Sequence, residues 1–153
     1  MIAATATKLE DLTLNITEEI HVKAPLQVTF DALLEQLGPL MAGGDDAPMP
    51  MKIEAWPGGR WFRDLDGNNG HLWGHVQSIK RPTLLEFYGP LMMSYPVVSN
   101  VQYRLSEEPG GTLIKFQHKA LGAIQDDHRQ GFPKGWSQIH ARIKGRAEAD
   151  RSR

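Results

Sequence analysis

The sequence predicts an α+β fold in which a curved antiparallel sheet of about seven strands packs against a long C-terminal helix. Three observations support this prediction. Apolar residues recur at every second position along most of the chain, which is the spacing of strands with one buried face. The connections between these segments have the length of hairpin turns, so neighbouring strands should run antiparallel. The segment 125–148 instead carries apolar residues at helical spacing.

The composition is that of one globular domain and excludes several classes of protein. The 153 residues include 17 Lys and Arg against 18 Asp and Glu, so the basic excess of a nucleic-acid-binding protein is absent. Without cysteine, the chain has no disulfide, thiolate nucleophile or thiolate metal site. Its longest apolar stretch, 90–98, is far shorter than the roughly 20 residues of a membrane span. The first residues do not resemble a signal peptide, so we expect a cytoplasmic protein.

The first predicted elements are a strand and a helix. Apolar and polar residues alternate over 12–22, which predicts a strand. Pro25 opens a segment with helical spacing of apolar residues, and the dipeptide Gly38-Pro39 ends it. Residues 41–50, rich in Gly, Asp and Pro, are predicted to form a loop. The chain is thus expected to consist of a flexible N-terminus, a single domain and a flexible tail, at 1–10, 11–148 and 149–153 respectively.

Six further segments alternate in the same way and predict the remaining strands. They are 51–56, 60–65, 71–79, 84–88, 100–105 and 112–120. Turn sequences separate them, such as 57–59 and 66–70, where Gly and Asn tolerate positive φ. The loop 89–99 is strongly apolar, so it is expected either to cover one end of the sheet or to fold into the core. The last helix is predicted to begin near Pro133.

Alternation also assigns side chains to the two faces of the sheet. The more apolar face should pack on the long helix. The opposite face would then carry Trp56, Phe62, Trp73 and His75 on three consecutive strands, and such a patch is typical of a protein contact site or a homodimer interface. The alternative is a β-bulge that reverses the alternation of one strand and buries part of this set. Both interpretations stay open.

Few residues suggest chemistry. His118 falls on the inner face of the last strand, either as a hydrogen-bonding group of a cavity or as a buried histidine bonded to a backbone carbonyl. Arg63 shares the parity of Trp61, so it either reaches an anionic ligand group, or pairs with a carboxylate or extends to solvent at the strand end. Trp136 either lines a cavity or packs on the sheet.

No metal or cofactor site is predicted. His71 and His75 are four residues apart on a strand, which separates them by about 13 Å, too far to share one ion. The glycine pairs at 58–59 and 110–111 do not open a helix in the pattern of a phosphate-binding loop.

Four segments carry a family resemblance: AWPGGRW at 55–61, GHVQSIKRPTLLEF at 74–87, GGTLIKFQH at 110–118 and GWSQIHARI at 135–143. They are similar to the SRPBCC superfamily, and within it to the group related to the C-terminal domain of the heat-shock-protein-90 ATPase activator. The resemblance covers about residues 12–148. It implies a helix-grip fold, in which a seven-stranded sheet wraps around a long C-terminal helix with a hydrophobic cavity between them. The segment 38–50 departs from the group, because it lacks the tryptophan-rich sequence that many members carry there.

The resemblance leaves three functions open, since one fold hosts many activities. The first and favoured one is binding of a small hydrophobic or amphipathic ligand in the cavity. The second is a cyclase or hydrolase that uses His118 as acid or base with Tyr103 as its partner. The third is a stress-related interaction module or chaperone cofactor. The residues expected to contact a ligand are Trp61, Arg63, Phe87, Met92, Met93, Tyr95, Tyr103, Phe116, His118, Trp136 and His140.

Overall fold

The predicted fold class is confirmed by a computed structural model, which describes residues 1–2 and 8–150. Within that part of the chain, the strands are β1 (Thr13–Val22), β2 (Lys52–Ile53), β3 (Arg60–Asp64), β4 (Gly70–Lys80), β5 (Leu84–Gly89), β6 (Val97–Glu108) and β7 (Gly111–Gly122). The α-helices are α1 (Leu26–Leu37) and α2 (Asp126–Ala149), and short 3-10 helices cover Leu9–Leu12 and Gly44–Asp46. The residues expected to be flexible at 3–7 and 151–153 lie outside the described residues.

The strands form one antiparallel sheet in the order β1-β7-β6-β5-β4-β3-β2. From β2 to β7, each strand pairs with the next one along the chain as a hairpin. The first strand, β1, pairs with the last, β7. The inner face packs against α2, as the alternation along the strands predicts. Its largest fully buried side chains include Trp61, Phe87 and Tyr103.

The first helix begins and ends where the sequence indicates. Pro25 is its N-cap, and the chain leaves the helix at Gly38. A Cβ atom at Gly38 would lie 2.8 Å from the carbonyl oxygen of Leu34, so this position requires glycine. The indole N–H of Trp61 donates to the carbonyl of Leu37 at 2.9 Å, which satisfies one of the free carbonyl groups at the helix end.

The prediction that the last helix begins near Pro133 was wrong, because α2 already begins at Asp126. Two aspartates in the first turn favour this start through their charge at the positive end of the helix. Arg129 adds a tertiary anchor: its guanidinium donates to the backbone carbonyls of Thr13 at 2.6 Å and Asp11 at 3.0 Å. These contacts hold the segment before the proline in a helical conformation.

Two strands also differ in length from their predicted ranges. The segment predicted as a strand at 51–56 pairs only over Lys52–Ile53, and the chain bends at Trp56 into a turn at Pro57 and Gly58. Ahead of that turn, the carboxylate of Glu54 accepts hydrogen bonds from both the backbone N–H and the guanidinium of Arg60. By contrast, β6 is longer than its predicted range 100–105 at both ends, because residues 97–99 and 106–108 also belong to it.

A β-bulge in β4 decides between the two interpretations of the outer face. Trp61 pairs with Gly74 and Phe62 pairs with Leu72, so Trp73 has no partner on β3. The alternation along β4 therefore reverses at this point, and Trp73 is 5% exposed whereas Leu72 is 45% exposed. The ring of Trp73 packs edge-on against Trp61, with 5.2 Å between the ring centroids. The assignment of Trp73 to an exposed contact patch was thus wrong.

The other three residues of that predicted patch do remain accessible. Trp56 is 58% exposed in the turn after β2. Phe62 is half-buried under the guanidinium of Arg60, and His75 stacks on Tyr88 with 5.6 Å between the ring centroids. Without Trp73 they form a smaller and more polar surface than the predicted one, and their role in an interface stays a prediction.

Candidate functional site

A cavity of about 240 Å³ lies between the N-terminal half of α2 and the loop 90–96. Its lining includes the exposed residues Met92 and Gly131, so the cavity opens to the surface on that side. The walls are mostly aromatic, aliphatic or thioether groups. The lining residues are Met41, Trp73, Leu91, Met92, Asp127, His128, Gly131, Phe132, Gly135, Trp136 and Ile139.

One face of α2 provides most of this lining, at positions 127, 128, 131, 132, 135, 136 and 139. Steps of three and four residues place side chains on the same side of a helix. Gly131 and Gly135 stand on this face without side chains, and a Cβ atom at either position would meet no atom within 4 Å. The space beside Phe132 and Trp136 is therefore open because two glycines leave it empty.

The loop 90–96 forms the opposite wall and is held in a fixed conformation. Leu91 has a φ of 59°, which costs an L residue about 1 to 3 kcal/mol. This conformation is retained because the Leu91 side chain is buried and its N–H donates to the carbonyl of Trp73 at 2.8 Å. Met93 is also buried, whereas Met92 is 43% exposed and lines the cavity. The loop thus contributes both to the core and to the cavity mouth.

A tyrosine–histidine pair stands at the cavity. The hydroxyl of Tyr95 lies 2.7 Å from Nδ1 of His128, and the backbone N–H of Gln125 donates to the same hydroxyl at 3.2 Å. The hydroxyl therefore accepts from the amide of Gln125, and it donates to Nδ1 of His128 or accepts from it according to the ring tautomer.

His118 lies in a second polar cluster, which is fully buried. The indole N–H of Trp136 donates to Nδ1 of His118 at 3.0 Å, and Nε2 lies 2.9 Å from the hydroxyl of Ser99. An indole is a donor only, so Nδ1 must be unprotonated and Nε2 donates to Ser99. Burial lowers the pKa of His118 to about 4. His118 is therefore neutral at pH 7 and fixes the ring of Trp136, whose face lines the cavity.

The third cluster joins Glu18, His140 and Tyr103 between β1, α2 and β6. Glu18 accepts from Nδ1 of His140 at 2.5 Å, and Nε2 of His140 accepts from the hydroxyl of Tyr103 at 3.0 Å. The second oxygen of Glu18 accepts a short hydrogen bond from Ser137. Tyr103 is 0% exposed and does not line the cavity, so this hydrogen-bonded cluster has no contact with a molecule bound there.

The protonation of this third cluster follows from its burial. Desolvation raises the pKa of Tyr103 well above its ordinary value, and the charge of Glu18 adds to that effect. Desolvation lowers the pKa of His140, although the hydrogen bond to Glu18 opposes the shift. Burial acts to raise the pKa of Glu18, but hydrogen bonds from Ser137 and His140 outweigh it and lower that pKa. The cluster therefore consists of a carboxylate, a neutral imidazole and a neutral phenol.

The structure brings only some of the predicted ligand contacts together. Met92 and Trp136 line the cavity, and Tyr95 bonds to His128, which also lines it. Arg63 does not line the cavity, because its guanidinium donates instead to the backbone carbonyl of Pro50 at 2.7 Å. The predicted partnership of His118 with Tyr103 was also wrong. The other predicted residues lie in the core and do not line the cavity: Trp61, Phe87, Met93, Tyr103, Phe116, His118 and His140.

Several lining residues escaped the sequence analysis. His128 and Phe132 precede Trp136 at steps of four, so an earlier start of the helix would have placed all three on one face. Gly131 and Gly135 are also four residues apart. Two glycines on a helix face of otherwise large residues can indicate an open space beside the helix. Trp73 reaches the cavity only through the bulge, for which the sequence holds no clear sign.

Two absences concern the described residues only. No group of three or more histidine, aspartate or glutamate side chains there is arranged to hold a metal ion. Likewise, neither helix in the described part of the chain has the length and apolar character needed to cross a membrane.

Comparisons with known proteins add a family and a fold. The sequence model of the family described as "Activator of Hsp90 ATPase homolog 1-like protein" matches residues 47–148. A search of curated proteins finds no match.

Three solved structures illustrate the likeness in fold. An uncharacterised protein from Rhizobium leguminosarum is 19% identical with a TM-score of 0.70, over 90% of this chain and 95% of that one. Ara h 8.0201 is 16% identical with a TM-score of 0.63, over 90% of this chain and 99% of that one. The di-domain ARO/CYC StfQ from the steffimycin biosynthetic pathway is 11% identical with a TM-score of 0.63, over 94% of this chain and 52% of that one. Identities this low establish a shared fold and no shared activity.

Proposed function

Because the chain belongs to the family of Activator of Hsp90 ATPase homolog 1-like proteins, within the SRPBCC superfamily, we propose that it binds a small apolar molecule between α2 and the loop 90–96. The observation that carries this proposal is the cavity of about 240 Å³ with its mostly apolar walls. Protein interiors are normally packed to crystal-like density, and an open apolar space of this size is typical of a binding site.

The volume restricts the size of the ligand. An engineered apolar cavity of about 150 Å³ accommodates benzene, and sites for drug-sized molecules begin at about 300 Å³. A cavity between these limits suits a molecule of one or two rings, or a short alkyl chain.

No comparable structural feature supports the two other candidate functions, catalysis and protein interaction. The cluster of Glu18, His140 and Tyr103 does not line the cavity. The outer patch loses Trp73 to the core, which weakens the case for an interaction surface.

The two cavity glycines offer a test. Leucine in place of Gly135 should project into the cavity, because no atom lies within 4 Å of the position of its Cβ. Gly145 is the matched control, since it lies in the same helix with equally open surroundings but does not line the cavity. Leucine forms helix better than glycine by about 0.8 to 1 kcal/mol, so both variants are expected to fold.

Naphthalene is a suitable probe, and the backbone amide resonance of Gly131, which the wild type and both variants share, provides the readout by NMR titration. We expect naphthalene to shift this resonance in the wild type and in Gly145→Leu. Gly135→Leu should bind at least about tenfold more weakly, which corresponds to 1.4 kcal/mol. The proposal fails if the wild type shows no binding, or if Gly135→Leu and the wild type bind equally well.

A further inference from the structure

The lining of the cavity includes a sulfur-containing side chain that solvent can reach. The chain has six methionines and no cysteine, so a thioether is the only form of sulfur that an oxidant meets in this protein. Met92 is exposed and lines the cavity, whereas Met41, which also lines it, is 3% exposed. Met1 is exposed as well, but it does not line the cavity. Met92 is therefore the accessible thioether of the proposed binding surface.

The loop 90–96 holds Met92 in this accessible position. Its two neighbours in the sequence, Leu91 and Met93, are each 1% exposed, so the chain is anchored in the core on both sides of it. The N–H of Met93 also donates to the carbonyl of Pro90 at 3.2 Å, which closes a turn around Met92. Met92 could turn its side chain into the core only by displacing these buried neighbours.

Oxidation changes the polarity of such a side chain. A peroxide transfers one oxygen atom to Sδ: the O–O bond breaks, an S–O bond forms, the sulfur loses two electrons and the second oxygen leaves as water. The product, methionine sulfoxide, is polar. The cavity walls near it are apolar, with the rings of Phe132 and Trp136 among them. An apolar ligand that covered the sulfoxide would remove its water and supply no donor, which opposes binding.

On the basis of the proposed function, we infer that Met92 is an oxidation site that regulates binding in the cavity. In the thioether state, the lining is apolar and the ligand binds. In the sulfoxide state, the affinity for an apolar ligand falls by about tenfold. Methionine sulfoxide reductases reverse the modification, so the ligand is released under peroxide and bound again after reduction.

The test treats the wild type with hydrogen peroxide and measures both the modification and the binding. Peptide mass spectrometry should show that Met92 gains an oxygen atom before Met41 and Met93 do, because only Met92 is exposed among these three. Naphthalene titration, followed by the amide resonance of Gly131, should then show an affinity about tenfold lower than before treatment. Two methionine sulfoxide reductases, one for each epimer, should restore the affinity when supplied with a thiol reductant.

Two variants assign the loss of affinity to Met92. Met92→Leu has an apolar side chain without sulfur, so its affinity should be the same before and after treatment, although Met1 is still oxidised. Met92→Gln carries a polar side chain at this position permanently. Without any oxidant, it should bind naphthalene as weakly as the oxidised wild type does.

The outcomes separate this inference from the proposed function. If the untreated wild type does not bind naphthalene, the binding function fails and the inference fails with it. The binding function stands and the inference is overturned in three cases: Met92 resists peroxide, its oxidation leaves the affinity unchanged, or Met92→Leu loses as much affinity on treatment as the wild type.

Discussion

The buried imidazole of His118 predicts that the protein loses stability as the pH falls through the weakly acidic range. Its Nδ1 faces the indole N–H of Trp136, so a second ring proton would have no acceptor there. Burial keeps the folded pKa of His118 at about 4, below the ordinary value of about 6.5 that we assume for the unfolded chain. Between these two values the unfolded state binds more protons than the folded state, so the free energy of unfolding decreases as the pH falls.

The expected loss can be worked out from the two pKa values. Proton linkage gives a decrease of about 2 kcal/mol in the free energy of unfolding between pH 7 and pH 5 from His118 alone. The stabilisation is fully present above pH of about 6.5 and is lost as the pH falls to about 4. The pKa of His140 is lowered as well, so its contribution has the same sign and adds to the total.

Urea denaturation of the wild type and of His118→Gln at the two pH values isolates the contribution of His118. Glutamine keeps one acceptor for Trp136 and one donor for Ser99, but it does not titrate. The variant should lose about 2 kcal/mol less than the wild type between pH 7 and pH 5. His71→Gln, which removes a histidine outside the core, should lose as much as the wild type. Equal losses in His118→Gln and the wild type would refute the reasoning.

Three further substitutions test the core packing and one buried hydrogen bond. Trp73→Ala should reduce the free energy of unfolding by about 3 to 5 kcal/mol, since it empties a buried site. Trp56→Ala should change it by less than about 0.5 kcal/mol, because that ring is exposed, and equal effects in urea denaturation would contradict the bulge. Tyr103→Phe should cost about 1 to 3 kcal/mol, because Nε2 of His140 is left buried without a donor. A loss below about 0.5 kcal/mol would show that the bond contributes little.

The sequence predicted the architecture well where alternation is unbroken. In β1, Leu14, Ile16 and Ile20 lie on one parity, and that face does pack inward. Glu18 shares this parity, so a carboxylate on the buried face was visible before the structure. Its partner His140 could not be identified, because they are 122 residues apart and meet only after α2 docks on the sheet.

Prediction of the site was poorer for a physical reason. Cavity walls depend on local departures from regular structure, such as the unpaired Trp73 of β4 and the left-handed Leu91. Neither residue belongs to a turn motif that favours such a conformation. Alternation therefore predicted the core side of the sheet, but it placed Trp73 on the wrong face.

The polar clusters between the sheet and α2 have a consequence for the place of the cavity along the helix. One apolar side chain can take the place of another in a contact. A purely apolar interface between α2 and the sheet would therefore oppose only weakly a shift of the helix by one turn, which is about 5.4 Å along its axis. The bonds of Trp136 to His118 and of His140 to Tyr103 do not survive such a shift. These two hydrogen bonds fix α2 at one position along its axis. In that position, Gly131 lies opposite the loop 90–96. The position of the cavity thus depends on hydrogen bonds made by residues five and nine positions after Gly131 in the helix.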